Sequence, residues 1–159
     1  MKINNIIEWI NVYRPGIITE EIDKVKIIHS NGEHSILWKI DSQLIFPEKY
    51  SILKQFYEDF DGMDLFSSTF KIASIINPKI ENNVTLTFSI NEINNEYKKA
   101  LKLISEPSIV FMHQAGIGMY ALGMKTNAIY EYDDGYNKIT NKYKNIFEII
   151  YEWHKALEE

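Results

Sequence analysis

The sequence predicts an α+β domain, with a mostly antiparallel sheet and helices packed on it. Three observations carry this. Apolar residues recur at helical spacing in four segments. Short runs between them alternate apolar and polar residues. Prolines, an Asn-Gly pair and clustered glycines separate the two kinds of run. The order is helix, hairpin, helix, strands, helix, meander, helix.

Ile3, Ile6, Ile7 and Ile10 place an amphipathic helix over about Lys2 to Val12, ending before Pro15-Gly16. Thr19-Glu20-Glu21 reads as the start of a short helical turn. Val25 to Ser30 and Glu33 to Ile40 flank Asn31-Gly32, the strongest short hairpin signal, because a type I′ turn needs positive φ at both positions. A helix from Thr19 to Ile28 is the competing reading. Pro47 suits the first turn of a helix bearing Tyr50, Leu53, Phe56, Tyr57 and Phe60, closed by Asp61-Gly62. Ser67 to Ile76 and Val84 to Phe88 are β-like. Ser89-Ile90-Asn91-Glu92 is a capping box opening a helix with Ile90, Ile93, Tyr97, Ala100, Leu101 and Ile104 inward. Ser108 to His113, Ile117 to Leu122 and Asn127 to Tyr132 form a meander, with Asp133-Asp134-Gly135 as a turn. Asn145 to Glu148 repeats the capping-box pattern before a last helix facing Ile146, Phe147, Ile150, Trp153 and Leu157 inward.

The 159 residues fit one domain, 1–159, able to bury a core without covalent staples. Cysteine is absent, which excludes disulfides, thiolate metal sites and a thiol nucleophile, and suits a cytoplasmic setting. No secretion leader or apolar run of membrane-spanning length is expected. The net charge of −5 and the single arginine, Arg14, argue against a nucleic-acid partner. The same acidity favours a basic protein partner through electrostatic steering.

Gly116-Ile117-Gly118 spells part of a dinucleotide fingerprint, but the residues after it read as a strand rather than a phosphate-binding helix N-terminus. It is read as a tight turn, and no cofactor is expected. His29 and His34 would face each other across the Asn31-Gly32 turn. Two imidazoles without a third ligand make a poor metal site, so no metal is expected. His113 and His154 read as packing or hydrogen-bonded residues. Carboxylates cluster at Asp59, Asp61 and Asp64 and again at Glu131, Asp133 and Asp134. They read as loop residues flanking the sheet. Asp61, Asp64, Glu131, Asp133 and Asp134 are the candidate partner-binding residues, and no catalytic residue is assigned.

Three segments resemble the SUKH superfamily, also called the SMI1/KNR4 family. Phe46-Pro47-Glu48-Lys49-Tyr50 through Phe56-Tyr57 to Phe60-Asp61-Gly62 is similar to its proline, helix and glycine-turn pattern. Gly116 to Leu122 followed by Ala128 to Asp133 resembles its glycine turn and paired strands, and Asn145-Ile146-Phe147-Glu148 its closing helix. The order holds over about Pro47 to Leu157. The resemblance implies an α+β fold without catalysis. In bacteria it implies an immunity protein that binds and neutralises a cognate polymorphic toxin, such as a nuclease. A regulatory scaffold of the same fold is the alternative, and a small hydrolase using paired carboxylates a more distant one.

Overall fold

The computed structural model describes residues 3–159; Lys2, the expected start of the first helix, lies outside them. Helix α1 runs Ile3–Tyr13 and buries Ile6 and Ile10. Strand β1, Gly16–Glu20, follows at once. A helical turn at Thr19 is therefore incorrect. Three consecutive β-branched residues, Ile17, Ile18 and Thr19, are stiff at χ1 and suit a pleated strand.

Strands β2, Lys24–His29, and β3, His34–Lys39, form the expected hairpin. Its turn is not type I′. Gly32 has φ +87°, whereas Asn31 stays out of the left-handed region. Gly32 N–H donates to the His29 carbonyl at 2.9 Å and His29 N–H to the Glu33 carbonyl at 2.8 Å. That is a type I turn closed by a left-handed glycine. The type I′ turn lies elsewhere, at Asn82-Asn83 (φ +50° and +61°), between β6, Lys79–Glu81, and β7, Val84–Thr87.

Glu48–Phe56 is a 3-10 helix that buries Tyr50 and Leu53. It stops at Tyr57, and Phe60–Leu65 is strand β4, buried throughout. Asp61-Gly62 thus sits inside a central strand and caps no helix. Gly62, at φ +95°, lies beside a register break between Leu37 and Lys39, a bulge that mimics a helix-end signal in the sequence. The next strand, β5, is only Phe70–Ile72. The Ser89/Glu92 capping box is present in both directions, at 3.2 and 2.8 Å, and opens α2, Ile90–Glu96. A separate 3-10 turn, Ala100–Leu103, carries the rest of that stripe, with Leu101 half-buried.

The meander is β8 (Ser108–Gln114), β9 (Gly118–Gly123), β10 (Ile129–Asp133) and β11 (Lys138–Tyr143), the last not anticipated. A Cβ on Gly118 (φ +150°) would fall 2.3 Å from the Tyr132 carbonyl oxygen, so the Gly116–Gly118 turn needs its glycine for close backbone approach. Helix α3 is Ile146–Glu158. Asn145 accepts from Glu148 N–H at 3.1 Å, but the Glu148 carboxylate takes Lys144 N–H, one residue before a capping box would place it. Its buried face is Ile146, Ile149 and Ile150, and Leu157 points into solvent.

Nine strands make one antiparallel sheet, in the order β1-β2-β3-β4-β5-β8-β9-β10-β11, with β6-β7 apart. Its inner face carries the row Val25, Leu37, Met63, Ile72, Met112, Tyr120, Glu131, which is apolar until its last member. Trp153 of α3 stacks on Phe66 at 4.9 Å, and Trp9 of α1 meets Phe147 of α3 at 5.0 Å. The two helices and this face share one hydrophobic core. No helix among the described residues is long and apolar enough to cross a membrane.

Candidate functional site

The neighbouring row on the opposite, outer face is different in kind. It reads Thr19, Lys26, Ile36, Asp64, Lys71, His113, Met119, Tyr132, each residue the register partner of the next. Asp64, Lys71 and His113 thus stand side by side on β4, β5 and β8. Helix α2 brings Tyr97 over His113 at 6.5 Å between ring centres. Lys71 and His113 open into a cavity of about 330 Å³ with Ser68, Phe88, Glu96 and Tyr97.

Each group has a distinct electrostatic state. Burial pushes the Asp64 carboxyl up, against the opposing effect of its bonds from Ser68. Its two oxygens hold Ser68 N–H and Oγ–H at 2.7 Å each. They tie down a loop in which Phe66, Ser67 and Ser68 all take positive φ (54°, 50° and 68°). Such residues cost about 1–2 kcal/mol each without compensation. Burial also lowers the His113 imidazole, with Asp134 and Glu96 acting the other way. Tyr97 is pushed up by burial, and its hydroxyl donates to Asp134 at 2.9 Å. Ser68 commits its hydroxyl proton to Asp64 and not to an imidazole. A Ser–His pair for nucleophilic chemistry is therefore not assembled here.

The five candidate partner-binding carboxylates are not one cluster, and four of them stand on strands. Asp61 is buried and accepts from Ile75 N–H and Lys79 Nζ, both at 2.6 Å. Asp64 is buried as described. Glu131 is buried on the inner face with Thr140 Oγ1 (2.5 Å), Asn141 Nδ2 (2.8 Å), Tyr143 Oη (3.0 Å) and Tyr120 Oη (3.0 Å) around it. Asp133 is the last residue of β10, and only Asp134 lies in the turn. Asp133 accepts from Gly135 and Tyr136 N–H, and Asp134 is exposed. Asp61, Asp64 and Glu131 occupy buried strand positions that only long-range pairing reveals, and a sequence window reads them as loop.

The histidines also separate. The register pairs His34 with Ile28, so His34 points outward while His29 points into the core. His29 Nδ1 meets the Arg14 carbonyl at 2.6 Å and Nε2 the Ser35 hydroxyl at 2.8 Å. No group of three or more His, Cys, Asp or Glu among the described residues could hold a metal ion. His154 Nε2 bonds the Tyr13 carbonyl at 3.1 Å, joining α3 to α1.

A second outer-face feature escaped the sequence. Ile17 and Ile28 are cross-strand partners and remain 73% and 50% exposed. Ile28 lines a groove of about 490 Å³ with Thr19, Lys26, His34, Ile36 and Glu81, and Ile17 stands next to it on β1. The far wall is the β6-β7 hairpin, tied to β2 by Glu81 with Lys24 and, at 3.8 Å, Lys26. The missed signal was the isoleucine-rich β1, once Thr19 was given to a helix.

Comparison with family models, curated proteins and solved structures returned no match to this chain.

Proposed function

We propose that this chain is a non-enzymatic protein-binding domain, and that it serves as an immunity protein of the SUKH type neutralising a basic cognate toxin. The observation that carries the binding reading is the uncovered apolar pair Ile17–Ile28 beside the β2/β6-β7 groove. Adjacent exposed apolar residues beside a groove, rather than singly scattered ones, support an interaction site. The net charge of −5 supports a basic partner. The ordered sequence motifs support the toxin-neutralising role. Asp61, Asp64 and Glu131 are engaged within the fold, which favours binding over acid–base chemistry by paired carboxylates. Asp133 and Asp134 lie near the other edge of the sheet, at the β10-β11 turn, and would act on this face through long-range steering.

The immunity reading expects a toxin gene beside this one, and the experiment is co-expression with the toxin domain that such a gene encodes. The chain restores growth of cells making the active toxin, and Ile17→Glu/Ile28→Glu does not. Growth arrest that persists with the wild-type chain present at full level rejects the immunity reading.

A further inference from the structure

The two edges of the nine-stranded sheet are built differently. β11 carries Lys138 and Lys142, and its pairing with β10 is broken by a register shift at Glu131/Tyr132. Lysines and bulges are the usual means of keeping an edge from accepting another strand. β1, Gly-Ile-Ile-Thr-Glu, has no lysine, and its register with β2 runs unbroken from Gly16↔His29 to Glu20↔Val25.

Hydrogen bonds at both ends fix which groups β1 offers. Ser30 N–H donates to the Pro15 carbonyl (2.9 Å) and Glu21 N–H to the Lys24 carbonyl (2.8 Å). Antiparallel bonding alternates, so Pro15, Ile17, Thr19 and Glu21 face β2 while Gly16, Ile18 and Glu20 face outward. Gly16 N–H is taken by Asn11 Oδ1 at 3.2 Å. The Ile18 N–H and C=O, the Glu20 N–H and the Gly16 C=O point away from the sheet.

We propose that a second copy of this chain occupies that edge, the two β1 strands pairing antiparallel about a two-fold axis at Ile18. This register overlaps all five residues. It sets Ile18 against Ile18 of the other copy and Glu20 against Gly16, so no carboxylate faces a carboxylate. It also lays the acidic end of each strand, Glu20 and Glu21, alongside the Arg14 end of the other. Ile18, 42% exposed, is covered by its own symmetry mate. Ile17 stays on the outer face beside the groove, so the dimer leaves the partner surface proposed above open. A seam this short gives a weak dimer, with Kd on the order of 10–100 µM.

Sedimentation equilibrium of the purified full chain, from micromolar to millimolar, reads this directly. The average mass rises from one chain to two and stops there. Ile18→Pro removes an outward N–H and leaves the β1–β2 bonds in place, so it stays monomeric with an unchanged circular dichroism spectrum. Should that variant unfold, Ile18→Lys sets two ammonium groups against each other at the axis and gives the same monomer. Amide exchange at Ile18 and Glu20 slows as wild-type concentration rises. A chain monomeric throughout the range overturns the proposal. So does a dimer that persists in a folded Ile18 variant, or mass growing past two chains as β1 pairs with β11 of a neighbour.

Discussion

The imidazole of His29 lies 2.8 Å from the hydroxyl of Ser35, and that oxygen also accepts from Phe66 N–H at 3.0 Å. The first hairpin is thereby bonded to the end of β4 inside the core. Nδ1 faces a carbonyl, so it carries the proton, and Nε2 accepts from Ser35. The ring is held neutral. Burial lowers its pKa, with the Arg14 carbonyl bond and Glu33 opposing.

Below about pH 6.5 the unfolded chain takes a proton that the folded one refuses. Stability is full above that pH and falls as pH drops toward the folded pKa, by at most about 1.4 kcal/mol per unit for this site. His113, also lowered, adds in the same direction. Urea midpoints at pH 7.5 and 5.5 should differ clearly in wild type and less in His29→Leu. That variant should itself lose about 1 kcal/mol at pH 7.5 with the Arg14 bond. An unchanged pH slope in the variant means that His29 is not the titrating group.

Glu106 behaves in the opposite sense. Thr126 Oγ1, Thr126 and Lys125 N–H and Tyr130 Oη all donate to it. These bonds, the Thr126 hydroxyl first, lower its pKa to about 2. Its stabilising effect is present above the ordinary carboxylate value and is lost as pH falls toward 2. Glu106→Gln should move the acid-unfolding midpoint to higher pH and loosen the β9-β10 turn. Unchanged acid unfolding would show that these four bonds contribute nothing.

Glu131 and Asp133 separate a structural carboxylate from a turn carboxylate. Glu131→Ala strands Tyr120, Thr140, Asn141 and Tyr143 and should cost about 3 kcal/mol in chemical denaturation. Asp133→Asn should cost less than about 0.5 kcal/mol. Equal losses would place both in the same environment.

Gly118→Ala is expected to be among the most damaging single-methyl changes. The added Cβ meets the Tyr132 carbonyl at 2.3 Å, and φ is +150°. A loss of about 2–3 kcal/mol is expected. A thermal midpoint within 2 °C of wild type, against the roughly 2–4 °C expected per kcal/mol, contradicts the β8-β9 turn geometry.

Much of the architecture was legible locally. The Ser89/Glu92 capping box, the first hairpin and the glycine-punctuated meander rest on contacts within a few residues, which a sequence window contains. The failures share a cause in long-range register. Asp61-Gly62 resembles a helix end, and only the pairing of Met63 with Leu37 and Ile72 shows it to be a strand bulge. Glu131 resembles a loop carboxylate until its strand is placed beneath Tyr120 and beside Asn141. Leu157 fits the helical stripe but is exposed in the last turn of α3. The Asp64–Lys71–His113 row joins residues from three strands and has no local signature.

On the proposed reading this domain recognises a basic protein through the Ile17–Ile28 face. Binding kinetics of the purified chain against the toxin domain that this reading expects beside the gene, at two salt concentrations, test it. Wild type should bind one to one, with association slowed by salt. Ile17→Glu/Ile28→Glu should dissociate at least about tenfold faster, about 1.4 kcal/mol, at unchanged thermal stability. Asp133→Asn/Asp134→Asn should alter association alone. A toxin domain that fails to bind the wild-type chain, or that binds the Ile17/Ile28 variant equally well, contradicts the account.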